Sequence, residues 1–203
     1  MEVQQHGNYF EDLKIKELTG YGKEEYDSFK SDDNGYTSSM DLVEGLHVDR
    51  NYSIKTAKGN KVDCGDILRR MVEDDYKIVI GLWKQSGDNK IFHTEYTFNI
   101  KPEDMVKLWG NMKYEDVKEF DSFIKSIPSG KDAQQATTAE RTLRKKAIAD
   151  KNALMVIHPK VDSKNQRRVQ CSFKIDQMIK SGVEYTKKDI NIVIHSPKRK
   201  FNK

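Results

Sequence analysis

"YSIKTAKGNKVDCGDILRRMVEDDYKIVIGLWKQ" (residues 52–85) decides the fold class. It opens on an alternating run, YSIKTA (52–57), in which Tyr52, Ile54 and Thr56 share one strand face and Ser53, Lys55 and Ala57 the other. A turn at KGN (58–60) follows. DCGDILRRMVEDD (63–75) then reads as a helix, with Ile67, Leu68, Met71 and Val72 as its apolar stripe. YKIVIGLWKQ (76–85) is the strongest strand of the chain and is expected at the centre of a sheet. Strand, helix, strand in that order calls for an α/β or α+β domain built on one mixed sheet. One residue breaks the pattern: Lys55 stands where a half-buried strand usually holds an apolar or small side chain.

Outward from this stretch the elements continue the mixture. SGDNK (86–90) is a turn that returns the chain as IFHTEYTFNI (91–100), a hairpin with the central strand. NYFEDLKIKEL (8–18) is an N-terminal helix, and the Gly-, Ser- and Asp-rich residues 19–38 read as loop. MDLV (40–43) is a short strand. Downstream, KPEDMVKLWG (101–110), KYEDVKEFDSFIKSI (113–127) and residues 131–151 are helices. ALMVIHPKV (153–161), RRVQCSFKI (167–175) and INIVIHS (190–196) are strands, and DSKNQ (162–166) is a turn. The expected fold is α/β, a mixed central sheet flanked by helices, in one domain spanning residues 1–203.

The 203 residues suffice for a sizeable core, and 9% aromatic content is too high for a disordered chain. Net charge is +4, yet residues 131–170 alone hold ten Lys and Arg against four Asp and Glu. The basic surplus is therefore local, which points to a polyanionic partner. Cys64 and Cys171 have no framework spacing and are expected as packing residues in a reducing, cytoplasmic setting. No apolar run reaches membrane-spanning length. The five histidines show no metal-ligand spacing, and His158 and His195 are expected to be structural.

Asp41 lies in an otherwise apolar run, where an unpaired carboxylate is costly. If its strand pairs with YSIKTA, Asp41 and Lys55 reach one pocket, and Glu11 on the first helix is a second acid within the same region of sequence. Two acids and a lysine are what metal-dependent phosphodiester hydrolysis needs. Carboxylates hold Mg²⁺, the metal offsets phosphate charge, and the lysine positions the attacking water. A second constellation is HPKVDSKNQRRVQCSFK (158–174), two strands around a turn. Its Lys160, Lys164, Asn165, Gln166, Arg167, Arg168 and Gln170 can contact base edges or phosphates. Lys58, Asn60 and Lys61, just after the lysine strand, could hold the scissile backbone.

The elements carrying Glu11 in YFEDL, Asp41 in SSMDLV and Lys55 in YSIKTA resemble the PD-(D/E)xK nuclease superfamily, which includes most type II restriction endonucleases. The resemblance covers roughly residues 8–100 and implies a restriction-endonuclease-like core there, with residues 101–203 as a helical and basic DNA-contacting part. Met40 replaces the proline before the aspartate. Ser53 stands where the motif has an acid, so a carboxylate from elsewhere must complete the metal site. Glu11 is favoured, Glu73 stands behind it, and Asp66 is a further candidate on the following helix. The resemblance thus implies catalytic Asp41, Lys55, Glu11 and Ser53, and Mg²⁺ held by Asp41, Glu11 and Glu73. It further implies cleavage of double-stranded DNA at a short sequence by a homodimer. A non-catalytic DNA- or RNA-binding protein, in which Asp41 and Lys55 are a structural ion pair, is the competing reading. A repair or junction-type nuclease of the same fold is another.

Overall fold

The computed structural model describes residues 5–31, 40–162 and 166–197. In chain order the elements are α1 (Gln5–Thr19), α2 (Lys23–Ser31), β1 (Asn51–Ala57), β2 (Lys61–Asp66), α3 (Ile67–Met71), β3 (Tyr76–Ser86) and β4 (Asn89–Ile100). A 3₁₀ turn (Pro102–Asp104) leads into α4 (Met105–Trp109), α5 (Tyr114–Ser126), α6 (Lys131–Ala136), α7 (Thr138–Ile148), β5 (Val156–Val161), β6 (Arg167–Lys174), α8 (Ile175–Lys180) and β7 (Tyr185–His195). The protein is mixed α and β, as expected, but its strands form two sheets. They belong to two compact units: one drawn from Met1–Asn60, Asp75–Ile100 and Val183–Lys203, the other from Lys61–Asp74 and Lys101–Gly182.

The first unit is built on a four-stranded mixed sheet in the order β1-β3-β4-β7. YKIVIGLWKQ is indeed interior, paired in parallel with β1 and as a hairpin with β4. A parallel pair needs a crossover connection. Residues 58–75 supply it and carry β2 and α3, which belong to the second unit.

The sheet register explains how α1 is held. Thr56, Gly81, Glu95 and Lys188 are consecutive partners across the four strands, forming one row on one face. Gly7 lies against Thr56, and the Phe10 ring lies over Gly81. Lys14 pairs with Glu95 at 3.0 Å, and Glu17 with Lys188 at 3.9 Å. The helix therefore advances one turn per strand. This works because a helical turn rises about 5.4 Å and strands are spaced about 4.8 Å apart. Only a glycine at the β3 position leaves room for the ring of Phe10. Beneath the helix, Phe10, Ile15, Tyr26, Leu42, Tyr52, Ile54, Val79 and Phe92 form a buried cluster.

Several expectations are corrected. Residues 23–31 are helix rather than loop, anchored by Tyr26, whose hydroxyl accepts from Val43 N at 2.9 Å and donates to Leu46 O at 3.2 Å. MDLV makes a single antiparallel bridge, Leu42 to Tyr52, rather than a strand. The helix expected over 63–75 begins as β2, because Val62 and Cys64 alternate into the core of the second unit. Asp66 then caps α3 through Arg69 N, and of the expected stripe only Ile67 is buried while Val72 is exposed. Residues 131–151 break into α6 and α7 at Thr137. The last strand begins five residues earlier than expected, and α8 was not anticipated.

The second unit holds an antiparallel sheet in the order β2-β6-β5. Its apolar face presents Val62, Ile157, Val161, Val169, Cys171 and Phe173, packed with Val117, Phe120 and Ile124 of α5. Asp121 of α5 is buried and accepts from Val169 N at 2.8 Å and pairs with Lys125 at 2.6 Å. Cys64 and Cys171 are buried and are not joined in a disulfide.

Candidate active site and basic sheet face

Asp41 and Lys55 come together in the first unit. The Leu42–Tyr52 bridge brings residues 40–42 antiparallel to β1, with Asp41 N and Leu42 N both donating to Tyr52 O at 2.8 and 3.1 Å. Asp41 Oδ2 accepts from Lys55 Nζ at 3.0 Å and from Ile54 N at 2.5 Å. Lys55 Nζ also donates to Ile54 O at 2.9 Å. Both side chains are about one-fifth exposed, so the pair is neither sealed nor free in solvent. An ammonium has three donors; two are engaged, and the third is open to a ligand. Ser53 shares the strand face of Lys55 and is buried.

Glu11 has a different partner. It pairs with Lys23 of α2 at 2.9 Å, and Lys23 also pairs with Asp27 at 2.7 Å. Burial by itself would lower the Lys23 pKa, but hydrogen bonds to Asp27 and Glu11 outweigh it and raise the value to about 12. α1 covers the Thr56 face of the sheet, whereas strand alternation sends Lys55 to the other face. Glu73 belongs to the second unit, and so does Asp66, whose carboxylate caps α3. Among the described residues no three His, Cys, Asp or Glu side chains are grouped to hold a metal ion.

The second constellation lies on the polar face of the β2-β6-β5 sheet. In register, Lys160 faces Arg168, His158 faces Gln170, and Lys61 faces Lys174. Strand alternation places these six residues opposite the apolar face. Lys61 pairs with Asp63 at 3.2 Å. Arg167 points the other way: its guanidinium donates to the carbonyl oxygens of Ile127, Pro128, Asp162 and Gln166 at 2.7–3.0 Å, bracing the chain after α5. Lys58 and Asn60 are exposed beyond the end of β1. Lys164 and Asn165 lie outside the described residues.

His158, expected to be structural, belongs to this face. Its Nε2 lies 2.7 Å from Ser172 Oγ. Burial and the nearby charges of Lys61 and Lys145 hold its pKa below the ordinary value, with Asp63 opposing. Lys145 of α7 thereby joins the cationic surface, a residue that sequence charge alone could not assign to it. On α6 and α7, Lys131, Gln134, Gln135, Thr138 and Arg141 line a cleft of about 390 Å³.

No family model, curated protein or solved structure matches the chain. No helix among the described residues is long and apolar enough to cross a membrane.

Proposed function

We propose that the protein is a Mg²⁺-dependent endonuclease of the restriction type, hydrolysing phosphodiester bonds of double-stranded DNA at a short sequence. The observation that carries this reading is the Asp41–Lys55 pair: 3.0 Å apart, partly open, on β1 where Lys55 is in register with Ile80 of the parallel strand β3. The fit to a metal is tested by the carboxylate itself. Asp41 spends Oδ2 on Lys55 and Ile54 and keeps Oδ1 for a cation. Mg²⁺ is commonly bound through one or two carboxylates plus substrate phosphate and water. Asp41 would hold the ion; of the acids that the resemblance offers in place of Ser53, Glu11 stands on the helix over the other sheet face, paired with Lys23, and Glu73 belongs to the second unit. Bound there, Mg²⁺ supplies charge neutralisation and a more acidic water.

The chain's own residues do the rest. The third Lys55 donor engages a non-bridging phosphate oxygen and stabilises the charge that builds there. Asp41 fixes the lysine by Oδ2, while the Ile54 amide fixes Asp41. The basic sheet face of the second unit, with Lys61, Lys160, Arg168 and Gln170, supplies duplex contacts, and two copies of the chain would serve the two strands of a symmetric site.

Supercoiled plasmid incubated with the protein, with and without Mg²⁺, tests the reading. Asp41→Asn keeps an oxygen for Ile54 N–H and removes the carboxylate charge; Lys55→Ala removes the ammonium. Each variant is expected to lose cleavage by about 100-fold or more while retaining DNA binding and its fold. Full cleavage by either variant refutes the assignment.

A second reading rests on one specific contact. Because Asp41 also accepts from Ile54 N, the pair has a structural use, tying residues 40–42 to β1. A non-catalytic nucleic-acid-binding protein would show steeply salt-dependent binding and no Mg²⁺-dependent nicking by the wild type.

A further inference from the structure

We propose that Arg168 is a base-reading residue that takes the guanine edge of one G·C pair in the major groove of duplex DNA, held in aim by Gln170. The inference rests on the DNA reading above and adds which residue of the second unit reads sequence rather than backbone.

Three observations carry it. First, Lys160 and Arg168 are directly opposed across the β5–β6 ladder on the same face. Like charges placed opposite each other destabilise a sheet. No carboxylate pairs with either of them among the described residues, so the arrangement serves an anionic or electron-rich partner rather than the fold. Secondly, the guanidinium is oriented. With the Gln170 amide turned so that its oxygen faces the arginine, that oxygen accepts from Arg168 Nε at 3.1 Å and Nη2 at 2.9 Å. Gln170 and Arg168 are two residues apart on one strand face, so the strand itself sets this geometry. The Nε–Nη2 side of the guanidinium is occupied by Gln170, which leaves the Nη1–Nη2 end for a ligand. Among the described residues, only a 3.5 Å contact from Nη2 to Gln166 Oε1 touches that end, long enough for a better acceptor to displace it. An end-on fork of two donors matches O6 and N7 of guanine. Thirdly, a two-stranded antiparallel ribbon is one of the few elements that fit the major groove, and here the ribbon's other face is already buried against α5.

The contrast with the neighbouring arginine sharpens the assignment. Arg167 spends its donors on four backbone carbonyls. Among the described residues, Arg168 bonds only to glutamine side chains, which leave one end of its fork available.

The test is selection of duplex DNA from a pool randomised over its central segment, using the full-length chain without divalent metal. Wild-type protein should enrich a motif containing a G·C position. Arg168→Ala and Arg168→Lys should each lose discrimination at one position by about 10- to 100-fold, with the remaining positions still selected. Gln170→Ala should weaken the same position, because it releases the fork without changing charge. Circular dichroism of each variant checks that the half-buried strand still folds. If the arginine variants bind all sequences more weakly while selecting the wild-type motif unchanged, Arg168 is a phosphate contact and the inference fails, while DNA recognition stands. If wild-type protein binds no duplex DNA, the underlying reading fails with it.

Discussion

Gly81→Ala is the most demanding test of the row along which α1 crosses the sheet. A Cβ built on Gly81 would lie 2.7 Å from two atoms of the Phe10 ring and 2.9 Å from a third. Carbon atoms rest at about 3.5–4.0 Å, so the ring must retreat by about 1 Å. It has little room. Phe10 is fully buried and stacked on Phe92 at 4.9 Å between centroids, and one turn further on the helix is tied down by Lys14–Glu95 at 3.0 Å. Overpacking of this kind costs about 1–3 kcal/mol. Replacing Gly by Ala returns about 0.4–1 kcal/mol through the unfolded state, leaving a net loss of about 1–2 kcal/mol. For a unit of roughly a hundred residues this lowers Tm by several degrees. Trp83 lies in the first unit and Trp109 in the second. A Trp109→Phe background therefore lets Trp83 fluorescence follow the first unit alone. The substitution also removes an indole N–H that has no hydrogen-bond partner among the described residues. In a Phe10→Leu background the alanine should cost much less. A Gly81→Ala protein as stable as its parent, or a penalty undiminished by Phe10→Leu, refutes the crossing.

Two pH predictions follow from named ion pairs and burial. Lys23 is raised from 10.5 to about 12, so its contribution is complete below pH 10.5 and is lost as pH rises through 12. Since a third of the side chain is exposed, the effect is under about 1 kcal/mol. The difference in urea midpoint between wild type and Glu11→Gln should hold constant below pH 10 and close above 12. A constant difference across that range contradicts the pairing. His158 is shifted the other way: its contribution is complete above pH 6.5 and is lost as pH falls below that value, because the unfolded chain takes up a proton that the folded one resists. His158→Gln should therefore flatten the pH dependence of the urea midpoint below pH 6.5, and an unchanged slope refutes it.

Periodicity carried the central strands because Ile78, Val79 and Ile80 are buried on both faces of β3, so no partner choice was needed to identify them. It failed where tertiary contacts decide. Among the described side chains of residues 23–30 only Tyr26 is fully buried, and its hydroxyl bonds to Val43 and Leu46 are invisible to a local pattern. Asp63 and Cys64 read as the start of a helix until β6 is present to pair with this stretch. The division into two units was equally hidden, because the crossover between parallel neighbours β1 and β3 is the same 58–75 stretch that seeds the second unit.

The same distinction governs the candidate site. Asp41 and Lys55 could be paired from sequence because a short reversal between apolar runs leaves few ways to align them, and the Leu42–Tyr52 bridge supplies that alignment. The acid that replaces Ser53 is a different problem, since every carboxylate in a chain with 32 acids and 36 Lys and Arg has many potential cations. Glu11 illustrates it. Its position on the first helix matches the resemblance, but α2, which the sequence did not announce, brings Lys23 to it at 2.9 Å. For Glu11 to serve a metal it must release Lys23, which would then rely on Asp27 alone. Lys23→Ala removes that competition without touching Asp41 or Lys55. If Glu11 completes the site, the variant should reach half-maximal cleavage at a lower Mg²⁺ concentration than wild type. An unchanged Mg²⁺ dependence in a cleaving enzyme would exclude Glu11.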